Sequence, residues 1–347
     1  MKNSNFKFLI AIGFVFISNI SFCQKLTIID QDYELAKLES KKQNKLIIID
    51  FYTSWCAPCK VLDKLVFQDT TVANEIAEQF IVLKYNAEKD SIHKLSLKHH
   101  VAMYPTTIIL NQNQYVINKL FGTGGPDKDI VANYKKLTKE AIELNNENKY
   151  IIGVSTSTNL IYPKFYVEYV YRKNTNPSPK EVEEYWQNTT DYLGEVPFAV
   201  LSYFCEANDS VCSFFLANKT KYETKFGKTD VAFTSGMMIN LMLSKSLKTK
   251  NSKLFEKTIV LAKQNIETAN FNSFESGWRQ RKFESENKWA EAIEIFRFCD
   301  NFNDYEEMDI ALSLICSKLG IPKEILLILR IKLFNPSVTA LESLSLT

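Results

Sequence analysis

The sequence has almost no surplus of either charge, since its 347 residues include 42 basic and 40 acidic side chains. Proteins that hold nucleic acid or an anionic membrane surface electrostatically present a basic excess, so we expect no nucleic-acid partner. After residue 23 the chain also lacks an apolar run of roughly 18 residues or more, the length that a membrane-spanning helix needs. With a hydrophobic content of 46%, the sequence instead favours a globular protein with buried cores.

Cysteine is scarce as well. Seven cysteines are too few to staple a chain of this length as a disulfide scaffold. Cys56 and Cys59 form the only pair separated by two residues, so a four-ligand zinc site built from two such pairs is excluded. His99 and His100 are adjacent, and their side chains are expected to diverge. The chemistry is therefore concentrated on one pair, for which zinc binding and redox exchange are the two alternatives.

The N-terminus has the pattern of a secretory signal peptide over residues 1–23. Lys2 and Lys7 precede an uncharged apolar run at residues 8–18, which is short for a membrane span. Cleavage after Cys23 would make Gln24 the first residue. We expect an exported protein, periplasmic or extracytoplasmic, that is soluble after signal removal. A retained N-terminal anchor and a lipid attached to Cys23 stay open as alternatives.

Residues 24–148 alternate strand and helix patterns, which predicts one α/β domain with a mixed central sheet flanked by helices. The apolar, β-branched run at 46–51 is typical of a central strand buried on both faces. Strands predicted at 106–110 and 115–121 form a hairpin, because the asparagines between them tolerate a positive φ. The other predicted elements are helices at 33–42, 71–80, 91–100 and 127–145, a helix that follows Cys59, and a strand at 81–85.

The second half has a different pattern. Residues 149–177 are interpreted as a linker, in which residues 162–171 fit either a strand or a helix. Ser178-Pro179-Lys180-Glu181 has the form of a capping box with proline at the first helical position. Residues 178–347 are predicted to be a mainly α-helical domain of unknown function, with helices at 182–193, 197–204, 231–247, 252–267, 289–298 and 304–319.

Four cysteines lie in this second half. Cys205 and Cys212 would be about 10 Å apart on one straight helix, too far for a disulfide, but the Asn-Asp-Ser sequence between them favours a turn. A bridge between them and two packed thiols both stay open. For Cys299 and Cys316, helix geometry predicts a separation of roughly 18 Å and therefore no bridge. Trp278 and its aromatic neighbours at helical spacing are expected to be core residues.

The position of Cys56 and Cys59 favours redox chemistry over zinc. The pair directly follows the predicted central strand, where a helix is about to begin. The N–H groups and the dipole at a helix N-terminus stabilise an anion. A thiolate at Cys56 should therefore form at lower pH than a free thiol, while Cys59, one turn further on, is placed to attack a mixed disulfide.

This stretch resembles a known family. Asp50-Phe51-Tyr52-Thr53-Ser54-Trp55-Cys56-Ala57-Pro58-Cys59-Lys60 is similar to the active-site motif of the thioredoxin superfamily, and Met103-Tyr104-Pro105-Thr106-Thr107 resembles that family's cis-proline segment. The resemblance covers roughly residues 25–145. Within the superfamily it is closest to exported thioredoxin-like domains, including the C-terminal domain of transmembrane electron-transfer reductases.

The resemblance implies catalytic roles for four residues. Cys56 would be the attacking thiolate and Cys59 the resolving thiol, the two forming the redox-active disulfide. Asp50 matches the family's buried carboxylate, which relays a proton for Cys59 and whose pKa burial should raise. Lys84 matches the basic partner of that acid; a solvated lysine at a strand end is the alternative.

Three further residues would meet the substrate. Pro105 would follow a cis peptide bond, its loop would face the cysteines, and the backbone of Tyr104 could pair with a substrate strand. Trp55 would cover the rim of the site. Ala57 replaces the glycine usual in thioredoxin proper, and Tyr104 is larger than the common aliphatic residue at its position. Both departures bear on redox potential and client choice.

The resulting functional hypothesis is an exported thiol–disulfide oxidoreductase that reduces protein disulfides. Its partners would be protein thiol and disulfide clients, with a membrane or other thiol reductase as electron donor. The dithiol carries two electrons itself, so no cofactor and no metal are expected. A disulfide isomerase or oxidase, and a non-catalytic binding protein that uses the fold as an interaction module, are the alternatives.

Overall fold

A computed structural model describes residues 25–157, 159–204, 209–265, 268–286 and 288. These residues form two compact units. The first contains residues 25–90 and Met103–Lys149, and the second contains Ser91–Ala102 and the described residues from Tyr150 onward. The segment Ser91–Ala102 thus lies within the predicted α/β range 24–148 but packs as part of the helical unit.

The first unit is built on a five-stranded sheet in the order β1-β3-β2-β4-β5. Neighbouring strands β1, β3 and β2 are parallel, whereas β4 and β5 are antiparallel to their neighbours, so the sheet is mixed, as predicted. The first strand is short, only one of its three residues is buried, and the sequence pattern did not predict it. The strands are β1 (Ile28–Asp30), β2 (Leu46–Tyr52), β3 (Phe80–Asn86), β4 (Thr106–Leu110) and β5 (Val116–Phe121).

Strand β2 lies at the centre of the sheet, and six of its seven residues are buried, which fits its continuous apolar run. Ile48 and Val82 of the neighbouring strand pair in register and belong to one core cluster with residues of the flanking helices. The elements beside the sheet are α1 (Tyr33–Gln43), α2 (Ala57–Leu62), a π-helical turn (Asp63–Phe67), α3 (Thr70–Ala77), and a 3₁₀ turn (Asp127–Asp129) leading into α5 (Ile130–Asn146). All of them except α1 and the 3₁₀ turn contribute residues to that cluster.

The hairpin between β4 and β5 differs in detail from the prediction. Gln114, rather than an asparagine, has the positive φ, of 68°. Asn111 contributes through its side chain instead, since its Oδ1 accepts hydrogen bonds from the N–H groups of Asn113 and Tyr115, both at 3.0 Å.

In the second unit, the predicted helix at 91–100 is only four residues long, α4 (Leu95–Lys98). The ambiguous residues 162–171 contain helix α6 (Lys164–Val170), and the capping box of Ser178 and Glu181 begins α7 (Pro179–Gln187), which ends earlier than predicted. Further helices are α8 (Glu195–Phe204), α9 (Asp209–Ala217), α10 (Lys219–Phe226), α11 (Lys228–Lys248), α12 (Ser252–Asn265) and α13 (Thr268–Ser285).

The helical unit is packed through aromatic side chains. Trp186 and Tyr166 are almost fully buried, and Trp278 is buried in a cluster with residues of α11 and α12, as expected of core aromatics. Cys212 is buried in α9. Several predictions concern residues outside those described and stay predictions: the ones for Cys205, Cys299 and Cys316, the signal segment 1–23, and the helices at 289–298 and 304–319. None of the helices described is long and apolar enough to cross a bilayer.

Candidate active site

Strand β2 delivers the chain to the two cysteines at the start of α2. Cys56 is the N-cap residue, with an extended backbone (φ −74°, ψ 99°), and its Sγ accepts a hydrogen bond from the N–H of Cys59 at 3.2 Å. Pro58 lies in the first turn of the helix, where the missing N–H has no intrahelical partner to lose. The sulfur of Cys56 thus takes the place of a capping oxygen, at the end of the helix that favours negative charge.

The two cysteine sulfurs are bonded to each other. The Cα atoms of Cys56 and Cys59 are 5.3 Å apart, within the ordinary range for a disulfide. The residues are only 2% and 4% exposed, so little of either sulfur lies at the surface. No group of three or more His, Cys, Asp and Glu that could hold a metal ion occurs in the part of the chain that the structure describes.

Asp50 and Lys84 form the predicted pair, and a third residue joins them. Asp50 pairs with Lys84 across β2 and β3, and its Oδ2 accepts a hydrogen bond from Lys84 Nζ at 2.5 Å. The same Nζ donates to Oδ1 of Asp63 at 2.8 Å. Asp50 is fully buried, and the side chain of Lys84 is 15% exposed. The ammonium therefore bridges two carboxylates, one in the core and one at the start of the π-helical turn.

Burial and charge act in opposite directions on this triad. Burial raises the pKa of Asp50, Lys84 opposes that rise through its charge and its hydrogen bond, and Asp63 adds to it by repulsion; the net direction is upward. Burial lowers the pKa of the Lys84 ammonium, but Asp50 and Asp63 outweigh it, so that this pKa is raised. Asp50 Oδ1 has no hydrogen-bond partner among the described residues. The carboxyl is thus a group that holds its proton more tightly than an aspartate in water.

The rim of the site joins two distant parts of the sequence. The Tyr104–Pro105 peptide bond is cis, the isomer that the sequence predicts. Trp55 is 57% exposed, and its ring lies edge-on to Tyr104 with the centroids 6.1 Å apart. An exposed aromatic surface beside a cis-proline loop suits contact with an incoming polypeptide.

Sequence reasoning missed two side chains of this site. Asp63 lies four residues after Cys59, a helical spacing that could have indicated it. Glu88 accepts a hydrogen bond from the N–H of Ser54 at 2.6 Å, which fixes the loop just before Trp55. That hydrogen bond lowers the pKa of Glu88. No local pattern marks Glu88, because the two groups are 34 positions apart.

Comparison with known proteins points to one family. Residues 28–112 match the thioredoxin-like family. Thioredoxin-1 of Drosophila melanogaster is 31% identical over 90 residues, which cover 26% of this chain and 76% of that protein. Thiol:disulfide interchange protein DsbD of Haemophilus influenzae is 27% identical over 122 residues, 35% of this chain but only 20% of its own length. A thioredoxin from Thermus thermophilus superimposes with a TM-score of 0.29 at 16% identity, over 33% of this chain and 91% of that one.

Proposed function

Because the chain belongs to the thioredoxin superfamily, with a Cys56–Cys59 pair in the family's thiol–disulfide oxidoreductase motif, we propose that it is an exported reductant of protein disulfides. One observation carries the proposal. It is the Cys56–Cys59 disulfide at the N-terminus of α2, directly after the buried central strand. In the same unit, the ring of Trp55, the residue before Cys56, contacts Tyr104 of the cis-proline loop.

The reaction is a pair of thiol–disulfide exchanges. The thiolate of Cys56 attacks one sulfur of a client disulfide; a mixed disulfide forms and the other client sulfur leaves as a thiolate. The thiolate of Cys59 then attacks Cys56 Sγ, which forms the Cys56–Cys59 disulfide and releases the second client sulfur. Two electrons pass from the dithiol to the client, and two protons end on the client's thiols.

Asp50 is the proposed proton acceptor for Cys59. The second exchange needs Cys59 as a thiolate, and a carboxylate whose pKa is raised is a stronger base than an ordinary aspartate. Lys84 and Asp63 set how strong that base is, since the first favours the ionised form of Asp50 and the second opposes it. Aiding the attack of Cys59 speeds formation of the internal disulfide, which is the direction that reduces a client.

The cycle needs a donor and a location. The oxidised pair must regain two electrons and two protons, for which we propose a dithiol protein as donor, either a membrane reductase or another thiol reductase. Similarity to a thiol:disulfide interchange protein supports a partner of this kind. Export rests on the signal pattern of residues 1–23. After expression of the full chain in a Gram-negative host, Gln24 should be the first residue of the protein in the periplasmic fraction; an intact N-terminus in the cytoplasm would refute export.

Insulin reduction with dithiothreitol as donor tests the enzymatic proposal. The wild type should accelerate the reaction, Cys56→Ser should abolish the acceleration, and Cys212→Ser, which removes a buried thiol of the helical unit, should leave it unchanged. Equal rates for wild type and Cys56→Ser would favour a non-catalytic interaction module instead.

Trapping tests the division of labour between the cysteines. Cys59→Ser should accumulate mixed disulfides on Cys56 that appear as higher bands on a non-reducing gel and vanish with reductant. Cys56→Ser is the matched control and should trap nothing. If both variants trap equally, the roles assigned to the two sulfurs are wrong.

A further inference from the structure

The short segment that precedes the cis-proline loop is held by two side chains of the helical unit. The hydroxyl of Tyr203, in α8, donates to the carbonyl oxygen of His100 at 2.9 Å and accepts from the N–H of Ala102 at 3.3 Å. Nη2 of Arg172, just after α6, donates to the carbonyl oxygen of Ala102 at 3.0 Å. Both backbone polar groups of Ala102 are thus bound by side chains more than 60 positions away.

Burial makes these hydrogen bonds difficult to replace with water. Ala102 is 8% exposed and Tyr203 is 6% exposed. If the tyrosine hydroxyl were removed, a buried N–H and a buried carbonyl would each lose a partner. An unsatisfied buried backbone group is costly, so the segment would move to recover a hydrogen bond.

The backbone around these contacts is strained in the same way at two places. Helix α4 ends in a Schellman motif, in which His100 has a φ of 59° and the N–H of Val101 donates to Ser96 O at 2.7 Å. Helix α6 ends likewise, with Arg172 at a φ of 53°. Glycine adopts this conformation with less strain, but glycine at position 172 would remove the guanidinium that binds Ala102.

A buried ion pair further fixes the segment within the helical unit. Lys98, at the end of α4, lies 3.2 Å from Glu195 Oε1 and also donates to the carbonyl of Ser155. The N–H of Ser155 donates to the second oxygen of Glu195 at 2.9 Å. Side chains of Lys98 and Glu195 are 7% and 10% exposed. The segment therefore has fixed positions both at Lys98 and at residues 100–102.

Ala102 is covalently followed by Met103, Tyr104 and Pro105, the proposed client-binding loop. Within the sheet unit the loop is held at both of its ends, because Thr106 Oγ1 donates to Met103 O at 2.8 Å and Gly122 N donates to Pro105 O at 2.8 Å. The near end continues from residues 100–102, whose backbone Tyr203 and Arg172 hold.

We propose that Tyr203 and Arg172 are positioning residues for client binding: they fix the backbone that leads into the Tyr104–Pro105 loop and so set the affinity for a polypeptide substrate. The inference rests on the proposed function, because it assigns a role in binding the disulfide client. It gives the helical half a part in client binding.

The test compares Tyr203→Phe with Tyr222→Phe. Each removes one hydroxyl from the helical unit; Tyr222 is a matched control because its OH donates to Tyr192 O at 2.7 Å, in a segment that does not lead into the loop. Tyr203→Phe removes two hydrogen bonds, so the KM for insulin should rise by at least the worth of one of them, about twofold to tenfold, with kcat unchanged. Reduction of the small disulfide 5,5′-dithiobis(2-nitrobenzoate), which needs no strand pairing, should keep its rate. Arg172→Gln should act in the same direction.

A second measurement does not depend on activity. Hydrogen exchange followed by NMR should show faster exchange at the amides of Met103 and Tyr104 in Tyr203→Phe but not in Tyr222→Phe. The proposal is overturned if these two amides keep their exchange rates, or if Tyr222→Phe changes the insulin KM as much as Tyr203→Phe does. If the wild type reduces no insulin, the proposed function fails, and the exchange rates alone decide whether Tyr203 positions the loop.

Discussion

Replacing Asp50 with asparagine should remove the proposed proton acceptor and with it the reduction of client disulfides. The effect of the same substitution on the free energy of unfolding should depend on pH. Burial raises the pKa of Asp50 above 3.8, its value in an unfolded chain, despite the opposing charge of Lys84. In this pH range the folded protein holds a proton on Asp50 that the unfolded chain releases. The contribution of Asp50 to the free energy of unfolding of the wild type therefore falls as pH rises from 3.8 through the folded pKa. For each pH unit by which the folded pKa exceeds the unfolded one, ionised Asp50 lowers the free energy of unfolding by about 1.4 kcal/mol.

Asp50→Asn removes this loss while leaving Lys84 paired, because Asp63 is 2.8 Å from its Nζ. The free energy of unfolding of the variant minus that of wild type should therefore increase between pH 4 and pH 8. The comparison between the two pH values cancels every contribution of the new amide that does not titrate.

The measurement is urea unfolding of the oxidised proteins, so that neither cysteine titrates. Methyl resonances of Ile48 and Val82 report the sheet unit alone, since both side chains are fully buried in its core. A difference between variant and wild type that stays constant from pH 4 to pH 8 would show that the folded pKa of Asp50 is not raised. If Lys84 outweighed burial and lowered the pKa of Asp50, the difference would change mainly below pH 4.

Substitutions at three further positions test the surroundings of the sulfurs. Asp63→Asn removes a repulsion that raises the pKa of Asp50, so single-turnover reduction of insulin should reach its plateau at lower pH than in wild type; a shift to higher pH would contradict this. Trp55→Ala removes the ring beside Tyr104, and the KM for insulin should rise about threefold to tenfold while the rate with a small disulfide stays unchanged. Glu88→Gln keeps an acceptor for the N–H of Ser54 but removes the charge, so the rate of insulin reduction should fall by about twofold. Glu88→Ala removes the acceptor and should lower the rate further. Equal rates for the two variants would mean that this hydrogen bond does not order the loop.

The parts of the fold that the sequence predicted are those with strong local patterns. Strand β2 was predicted because a continuous β-branched run is typical of a strand covered on both faces. The capping box at Ser178 and Glu181 marked the start of α7 for a similar reason, since its two hydrogen bonds join residues three positions apart. The Cys56–Cys59 pair and the cis peptide before Pro105 also belong to short motifs.

The elements that were missed or misplaced depend on distant partners. Strand β1 has three residues and one buried side chain, and its hydrogen bonds go to β3, more than 50 positions away, so nothing local distinguishes it from a loop. The pattern at 91–100 extends beyond α4 at both ends. Before the helix, Ile92 has the apolar spacing but is exposed; after it, His99 and His100 are buried although the helix has ended at Lys98.

The same division between local and distant contacts runs through the site. A Cys-X-X-Cys motif fixes which atoms exchange electrons, because helix capping and sulfur chemistry need only four consecutive residues. The pKa of Asp50 instead depends on Lys84 and Asp63, which lie near it only once the sheet and α2 have formed. The segment that leads into the proposed client-binding loop accepts a hydrogen bond from Tyr203, which is over 100 positions from His100. Substitutions at these distant partners should therefore change pH dependence and client affinity while leaving the disulfide chemistry of the motif intact.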